Sequence, residues 1–221
     1  MQFESIADRR VWSKARRIIG KKDRKLAMIA RRVGYLRIPL HDNYYEALIR
    51  SIVSQQISWA AANAILRKLE SLYGGRLPTP GQFLRTRMDR IRSAGISPQK
   101  YSYIKDLAQK IEDGHVELAK FGKMADDDIV EELDDVKGIG RWTAEMFLMF
   151  SLGRTDVWPV DDLGIRHAVM RVYNLRKEPD RVRMVQIGEK WRPYRSIAAL
   201  YLWHSHDNSK AKKLRKKEMI A

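Results

Sequence analysis

The sequence predicts an all-α fold, and three observations carry that expectation. Apolar residues recur at helical spacing over long stretches, as at Leu48, Ile52, Ile57, Ala61, Ile65 and Leu69. No stretch alternates apolar and polar residues in the way a half-buried strand does. Glycine and proline punctuate the chain at helix-length intervals, notably at Gly74-Gly75, Pro80, Gly95 and Pro98.

At 221 residues the chain is long enough for a real core, in one domain or in two lobes. Cysteine is absent, which excludes a disulfide framework and any cysteine-ligated zinc or iron–sulfur site. The first residues, MQFESIADRR, lack the apolar core of a signal peptide, and no apolar run is long enough to span a bilayer. A soluble intracellular protein is therefore expected, in the cytoplasm or nucleoid if the source is prokaryotic. The 43 Lys and Arg against 27 Asp and Glu give a net charge of +16. That is the electrostatic footprint of a nucleic-acid binder. Charge alone leaves open a ribosome-associated or membrane-surface protein, or simply a solvated charged face.

Residues 1–34 read as two basic helices separated by the charged break Lys21-Lys22-Asp23-Arg24-Lys25. They are either a nucleic-acid-facing flank or a solvated helix face. Pro39 to Asn43 leads into a long helical stretch from Tyr44, broken near Gln55–Ser58 and stopped at Gly74-Gly75. Pro80 suits a first helical turn, and Ser97-Pro98 reads as an N-cap followed by proline at N1, opening the helix KYSYIKDLAQKIEDG. Asp126-Asp127-Asp128 places negative charge at a helix start, where the dipole favours it. Trp142 to Leu152 is apolar nearly all round, which predicts a buried helix. Helices are also expected over LGIRHAVMRVY, from Arg181 to Trp191, and from Ile197 to about Asp207.

The chemistry concentrates between Val136 and Ala168. Gly138-Ile139-Gly140 lies between two helical runs and reads as a tight hairpin whose amides face the next helix N-terminus. Unpaired N–H groups and the helix dipole make such a turn suitable for a phosphate. A bare G-x-G is equally an ordinary helix–helix turn. Further on, Trp158-Pro159-Val160-Asp161-Asp162-Leu163-Gly164 sets two carboxylates at a helix start. A carboxylate there is usually a cap, a role that suits Asp161.

VKGIGRWTA followed by WPVDDLGIR resembles the helix-hairpin-helix DNA glycosylase superfamily, and within it the DNA-3-methyladenine glycosylase II branch. The resemblance covers residues 35 to 207. It implies two helical lobes, with the helix-hairpin-helix and a Gly/Pro–Asp loop at the cleft between them. It assigns Asp162 as the catalytic carboxylate, able to stabilise an oxocarbenium-like sugar and to orient water. Trp142 and Trp203 match tryptophans near the flipped base, where an indole face attracts a cationic methylpurine. Both also read as ordinary core. Met146 stands where the close relative has an aromatic. Gln56, within SQQIS, matches the residue wedged into the gap left by a flipped nucleotide, although glutamines there also read as helix-end residues bonding to backbone. GISPQK resembles the family's phosphate-contacting loop, and also reads as a routine capped turn.

The implied DNA contacts are therefore Gln56, Gly138, Ile139, Gly140 and Arg141. A monovalent cation, Na+ or K+, is implied on the carbonyls of Asp134, Val136 and Ile139; no other cofactor is required. His204 and His206 face different ways on a helix, which argues against zinc. Relatives that cut the strand carry a lysine where this chain has Trp142, so a monofunctional glycosylase is expected. Its partner would be double-stranded DNA containing damaged bases, 3-methyladenine or 7-methylguanine above all, and the enzyme would be a monomer without membrane attachment. Hypoxanthine or ethenoadenine is the alternative substrate, and a non-catalytic helix-hairpin-helix DNA grip the alternative function. The implied organisation is basic N-terminal helices (1–34) packing on a glycosylase domain (35–207), then a basic tail (208–221). The β-rich N-terminal domain of larger relatives is not expected here.

Overall fold

Residues 3–205 are described by the computed structural model. His206, Asp207 and the basic tail over 208–221 lie outside the described residues. Within them, the chain is helical throughout and contains no strand; one isolated bridge pairs Ser5 with Arg154. No described helix is long and apolar enough to cross a membrane.

The chain divides into two units. The first is formed by His41–Leu152. It contains α3 (Tyr44–Ser54), α4 (Trp59–Ser71), α5 (Pro80–Arg85), α6 (Met88–Ser93), α7 (Pro98–Glu112), α8 (Asp126–Asp134) and α9 (Arg141–Phe150). The break expected within 44–73 is real: α3 ends at Ser54, and Ser58 caps α4 by accepting a hydrogen bond from the Ala61 amide. Thr79 and Gln82 close a capping box ahead of α5, with Pro80 in its first turn. Ser97 and Pro98 start α7 as their residue types dictate. Leu48, Ile49, Ile52, Phe83, Ile104, Leu107, Ile129, Leu133 and Leu148 fill the core of this unit.

Among the described residues, the second unit joins 3–40 to 153–205. The N-terminal helices α1 (Arg9–Lys22) and α2 (Arg24–Val33) thus share a core with α10 (Leu163–Tyr173), α11 (Arg181–Glu189) and a helical run over 195–205. The boundary expected at residue 34 falls inside this unit. The charged break between α1 and α2 is a single residue, Asp23, and it is buried. Its carboxylate caps α2 through the Leu26 amide at 3.0 Å. It also accepts from the Tyr173 hydroxyl, from Trp191 Nε1 at 3.0 Å and from Lys190 Nζ at 2.7 Å. Burial pushes the Asp23 pKa up, but these donors together hold it below the usual carboxylate value. One carboxylate therefore ties the N-terminal pair to α10 and to the segment after α11.

Candidate functional site

Within the second unit, Asp162 stands at the end of a loop that is fixed along its length. The Ile6 amide donates to Gly153 O at 2.8 Å, and the Ser196 amide to Thr155 O at 3.0 Å. Arg195 Nε grips Asp156 at 2.8 Å, and the Val157 amide donates to Ser196 Oγ at 2.9 Å. Trp158 is buried, its Nε1 donating to Met184 O at 2.8 Å and its ring edge-on to Trp191. Side chains locked by packing and by such bonds hold a reactive group in place more closely than a free loop can.

The chain then turns, with the Asp162 amide bonded to Pro159 O at 3.2 Å, and α10 begins. Asp162, not Asp161, is the cap: its Oδ1 accepts from the Ile165 amide at 2.7 Å. Asp161 is exposed and pairs with Arg181 instead. The same Oδ1 of Asp162 accepts the indole N–H of Trp203 at 2.9 Å. Two donors on one oxygen set the plane of a half-buried carboxylate. Trp203 is thus neither plain core nor simply a stacking wall; its edge holds the acid. Gly164 makes this possible, since a Cβ there would meet Asp162 Oδ1 at 3.1 Å and Trp203 Nε1 at 3.3 Å.

In the first unit, the three loop motifs converge. Gly138 has φ +78°, and a Cβ on it would lie 2.1 Å from the Tyr103 ring, so the hairpin rests directly on α7. The Lys137 amide reaches Asp106 Oδ2 at 3.0 Å, also on α7. Ile139 is buried, and its amide closes the turn onto Val136 O at 3.0 Å. The side chain and N–H of Ile139 are thus both engaged within the hairpin, while its carbonyl accepts no hydrogen bond among the described residues. The amides of Gly138 and Gly140 donate to no acceptor among the described residues, and α9 has no side-chain cap. This is the exposed N-terminal geometry that binds anions. Arg141, in the first turn of α9, is paired with Glu145 at 3.3 Å.

The SQQIS loop is tied to this hairpin. Gln55 Nε2 donates to Gly138 O at 2.8 Å, and Lys100 Nζ donates to Val53 O at 2.6 Å and Gln55 O at 2.8 Å. Burial lowers the Lys100 pKa. The backbone-bonding reading of the glutamines thus holds for Gln55. Gln56 differs: it is exposed and has φ +57°, a left-handed conformation that a side chain other than glycine rarely adopts. Beside it project Ile57, 39% exposed, and Trp59, 83% exposed. Neither has a motif of its own; the only sign in the sequence is a tryptophan directly after a serine cap, where a soluble helix prefers polar residues.

Trp142 does not share the burial of most of α9, being 45% exposed. It is absent from the lining of a cavity of about 230 Å³ in this unit, which Met146, Phe147, Phe150, Ser51, Ser54 and His41 help to form. Met146 does line it. Of the expected ion-binding carbonyls, that of Asp134 ends α8 and those of Val136 and Ile139 belong to the hairpin turn, where that of Val136 already accepts one hydrogen bond. A carbonyl's second lone pair still allows a cation. Among the described residues no three His, Asp or Glu side chains gather around a possible metal.

A family model described as HhH-GPD superfamily base excision DNA repair protein matches residues 49–193, from α3 past α11. The chain belongs to this superfamily. Among the relatives of this HhH-GPD chain, DNA-3-methyladenine glycosylase 1 of Schizosaccharomyces pombe is 37% identical over 161 residues, 72% of this chain and 71% of the relative. An alkylbase DNA glycosidase-like protein of the same yeast is 30% identical and covers 87% of this chain and 92% of its own length. Among solved structures, a DNA-3-methyladenine glycosidase of Bacillus halodurans superposes with a TM-score of 0.81 at 34% identity, covering 93% of each chain. The Schizosaccharomyces pombe 3-methyladenine DNA glycosylase in complex with abasic DNA superposes with a TM-score of 0.76 at 34% identity, covering 86% and 95%. The HhH-GPD assignment places the hairpin and the Asp162 loop in one matched segment.

Proposed function

We propose that this HhH-GPD protein is a monofunctional DNA glycosylase that extrudes alkylated purines, of the 3-methyladenine and 7-methylguanine type, and hydrolyses their N-glycosidic bond. The observation that carries the reading is Asp162, a carboxylate held by the Ile165 amide and the Trp203 indole at the end of a fixed loop. A preorganised carboxylate stabilises positive charge developing on the sugar without having to reorganise. The same group orients the attacking water, and the cationic base leaves without a separate acid. The relatives named for 3-methyladenine support the substrate class.

The hairpin amides of Gly138 and Gly140 would hold a backbone phosphate, and Gln56, with Ile57 and Trp59 beside it, would enter the gap in the stack. Holding the displaced nucleotide out costs a few kcal/mol, least at a damaged pair, which gives selectivity before any bond breaks. Trp142 supplies no amine for a Schiff base, so strand cleavage is not part of the reaction. A monovalent cation on the carbonyls of Asp134, Val136 and Ile139 would brace the hairpin. The partner is duplex DNA inside the cell, met by a monomer.

The test compares wild type with Asp162→Asn on duplexes carrying 3-methyladenine or 7-methylguanine, reading base release, strand cleavage and binding to an abasic analogue separately. Expected are release by wild type alone, no nicking by either, and binding kept by the variant. Binding without release by both would leave a DNA grip and sink the enzymatic reading. Release confined to hypoxanthine or ethenoadenine would move the substrate class.

A further inference from the structure

A second basic feature lies far along the chain from the hairpin, in the unit that carries Asp162. Helices α1 and α2 enclose a surface groove of about 440 Å³, lined by Arg16, Arg17 and Lys21 from α1 and by Arg31 from α2. No carboxylate lines it. All four cations are exposed, and none makes a side-chain ion pair or hydrogen bond among the described residues. Two other cations of the same helix are paired, Arg10 with Asp8 and Lys14 with Glu4. Four unpaired like charges around one groove repel each other, and an anion in the groove relieves that repulsion.

The floor of the groove supplies an independent observation. Gly20 sits in the last turns of α1 in ordinary helical conformation, without positive φ. A Cβ built on it would meet nothing within 4 Å. Neither backbone geometry nor internal packing therefore calls for glycine there, although it costs a helix about 1 kcal/mol relative to alanine. What an alanine methyl would occupy is space at the groove itself, which Gly20 lines. The open space over Gly20 lets a ligand approach the helix backbone more closely than an alanine there would allow.

We propose that this groove is a second binding site for the sugar–phosphate backbone of duplex DNA, separate from the hairpin. Its chemistry suits that ligand: guanidinium and ammonium groups without base-reading amides hold phosphates and carry no sequence information. The ligand class rests on DNA being the substrate. The groove gives the unit bearing Asp162 its own hold on the duplex, while the hairpin serves the other unit.

The test uses the full chain and an undamaged duplex, with binding followed by fluorescence anisotropy across a salt series. Removing one cation that neutralises a phosphate flattens the slope of log affinity against log salt by about 0.9. Arg16→Gln, Arg17→Gln, Lys21→Gln and Arg31→Gln combined should flatten it by about 3.6. Gly20→Ala, which alters no charge, should raise the melting temperature of the free protein and still weaken duplex binding several-fold. An unchanged slope in the fourfold variant overturns the site, as does unchanged binding by Gly20→Ala. Loss of binding to RNA or to anionic vesicles, with duplex binding intact, also overturns it. Base release by wild type is scored in parallel: groove-dependent binding without release removes the catalytic reading and leaves the groove, and release with a groove-independent slope does the reverse.

Discussion

At the scale of single residues, the informative feature of Asp162 is that one oxygen serves two purposes. It caps α10 and it is gripped by Trp203. Asparagine caps a helix about as well as aspartate, and its side-chain oxygen accepts the same two bonds. Asp162→Asn is therefore expected to melt within about 0.5 kcal/mol of wild type while losing base release by about 100-fold or more. A large loss of stability in that variant would mean that the charge is structural. Trp59 makes the opposite case. With 83% of its surface exposed it contributes little to folding, so Trp59→Ala should leave the melting curve in place. If its ring stacks on a base beside Gln56, the proposed wedge, the variant weakens duplex binding about tenfold. Unaltered binding would confine the wedge to Gln56.

At the scale of elements, the hairpin is not an autonomous motif. It is seated on the Tyr103 ring of α7 and bonded through Gly138 O to Gln55, while Lys100 fixes the loop from which Gln55 reaches. Three loops separated by up to 83 residues thus form one rigid surface. Gly138→Ala carries two penalties, a left-handed φ and a methyl inside the Tyr103 ring. The expected result is a destabilisation of about 1–3 kcal/mol from the backbone alone, with weaker binding to both damaged and undamaged duplexes. A variant that folds and binds as wild type does would show that the hairpin amides hold no phosphate.

At the scale of the whole molecule, Asp23 shows how distant parts of the sequence share one core. Standing directly after α1, it joins α2, α10 and the segment following α11 through its carboxylate. Because its pKa is held below the ordinary 3.8, its contribution to stability is complete above that value and disappears as the pH falls through the lowered folded-state value. Asp23→Ala should cost about 3–5 kcal/mol at neutral pH, since it leaves a buried indole N–H and an ammonium without their partner. The gap between variant and wild type should close in strong acid; a gap independent of pH would make the loss one of packing alone.

Helix positions and the break at 55–58 were legible in the sequence, because periodicity, caps and proline act within a few residues. So were the G-x-G hairpin and the acidic loop, through their resemblance to known motifs. What was not legible was of a single kind. Asp161 and Asp162 are the same residue type side by side, and only the turn at Pro159 and the position of Trp203 decide which one caps the helix. The exposure of Trp142, the burial of Asp23 and the union of 3–40 with 153–205 likewise depend on partners more than a hundred residues away or on which face a helix turns inward. Local chemistry determined what each segment is. The tertiary structure alone decided which groups meet, because those meetings are set by long-range packing that no short stretch of sequence encodes.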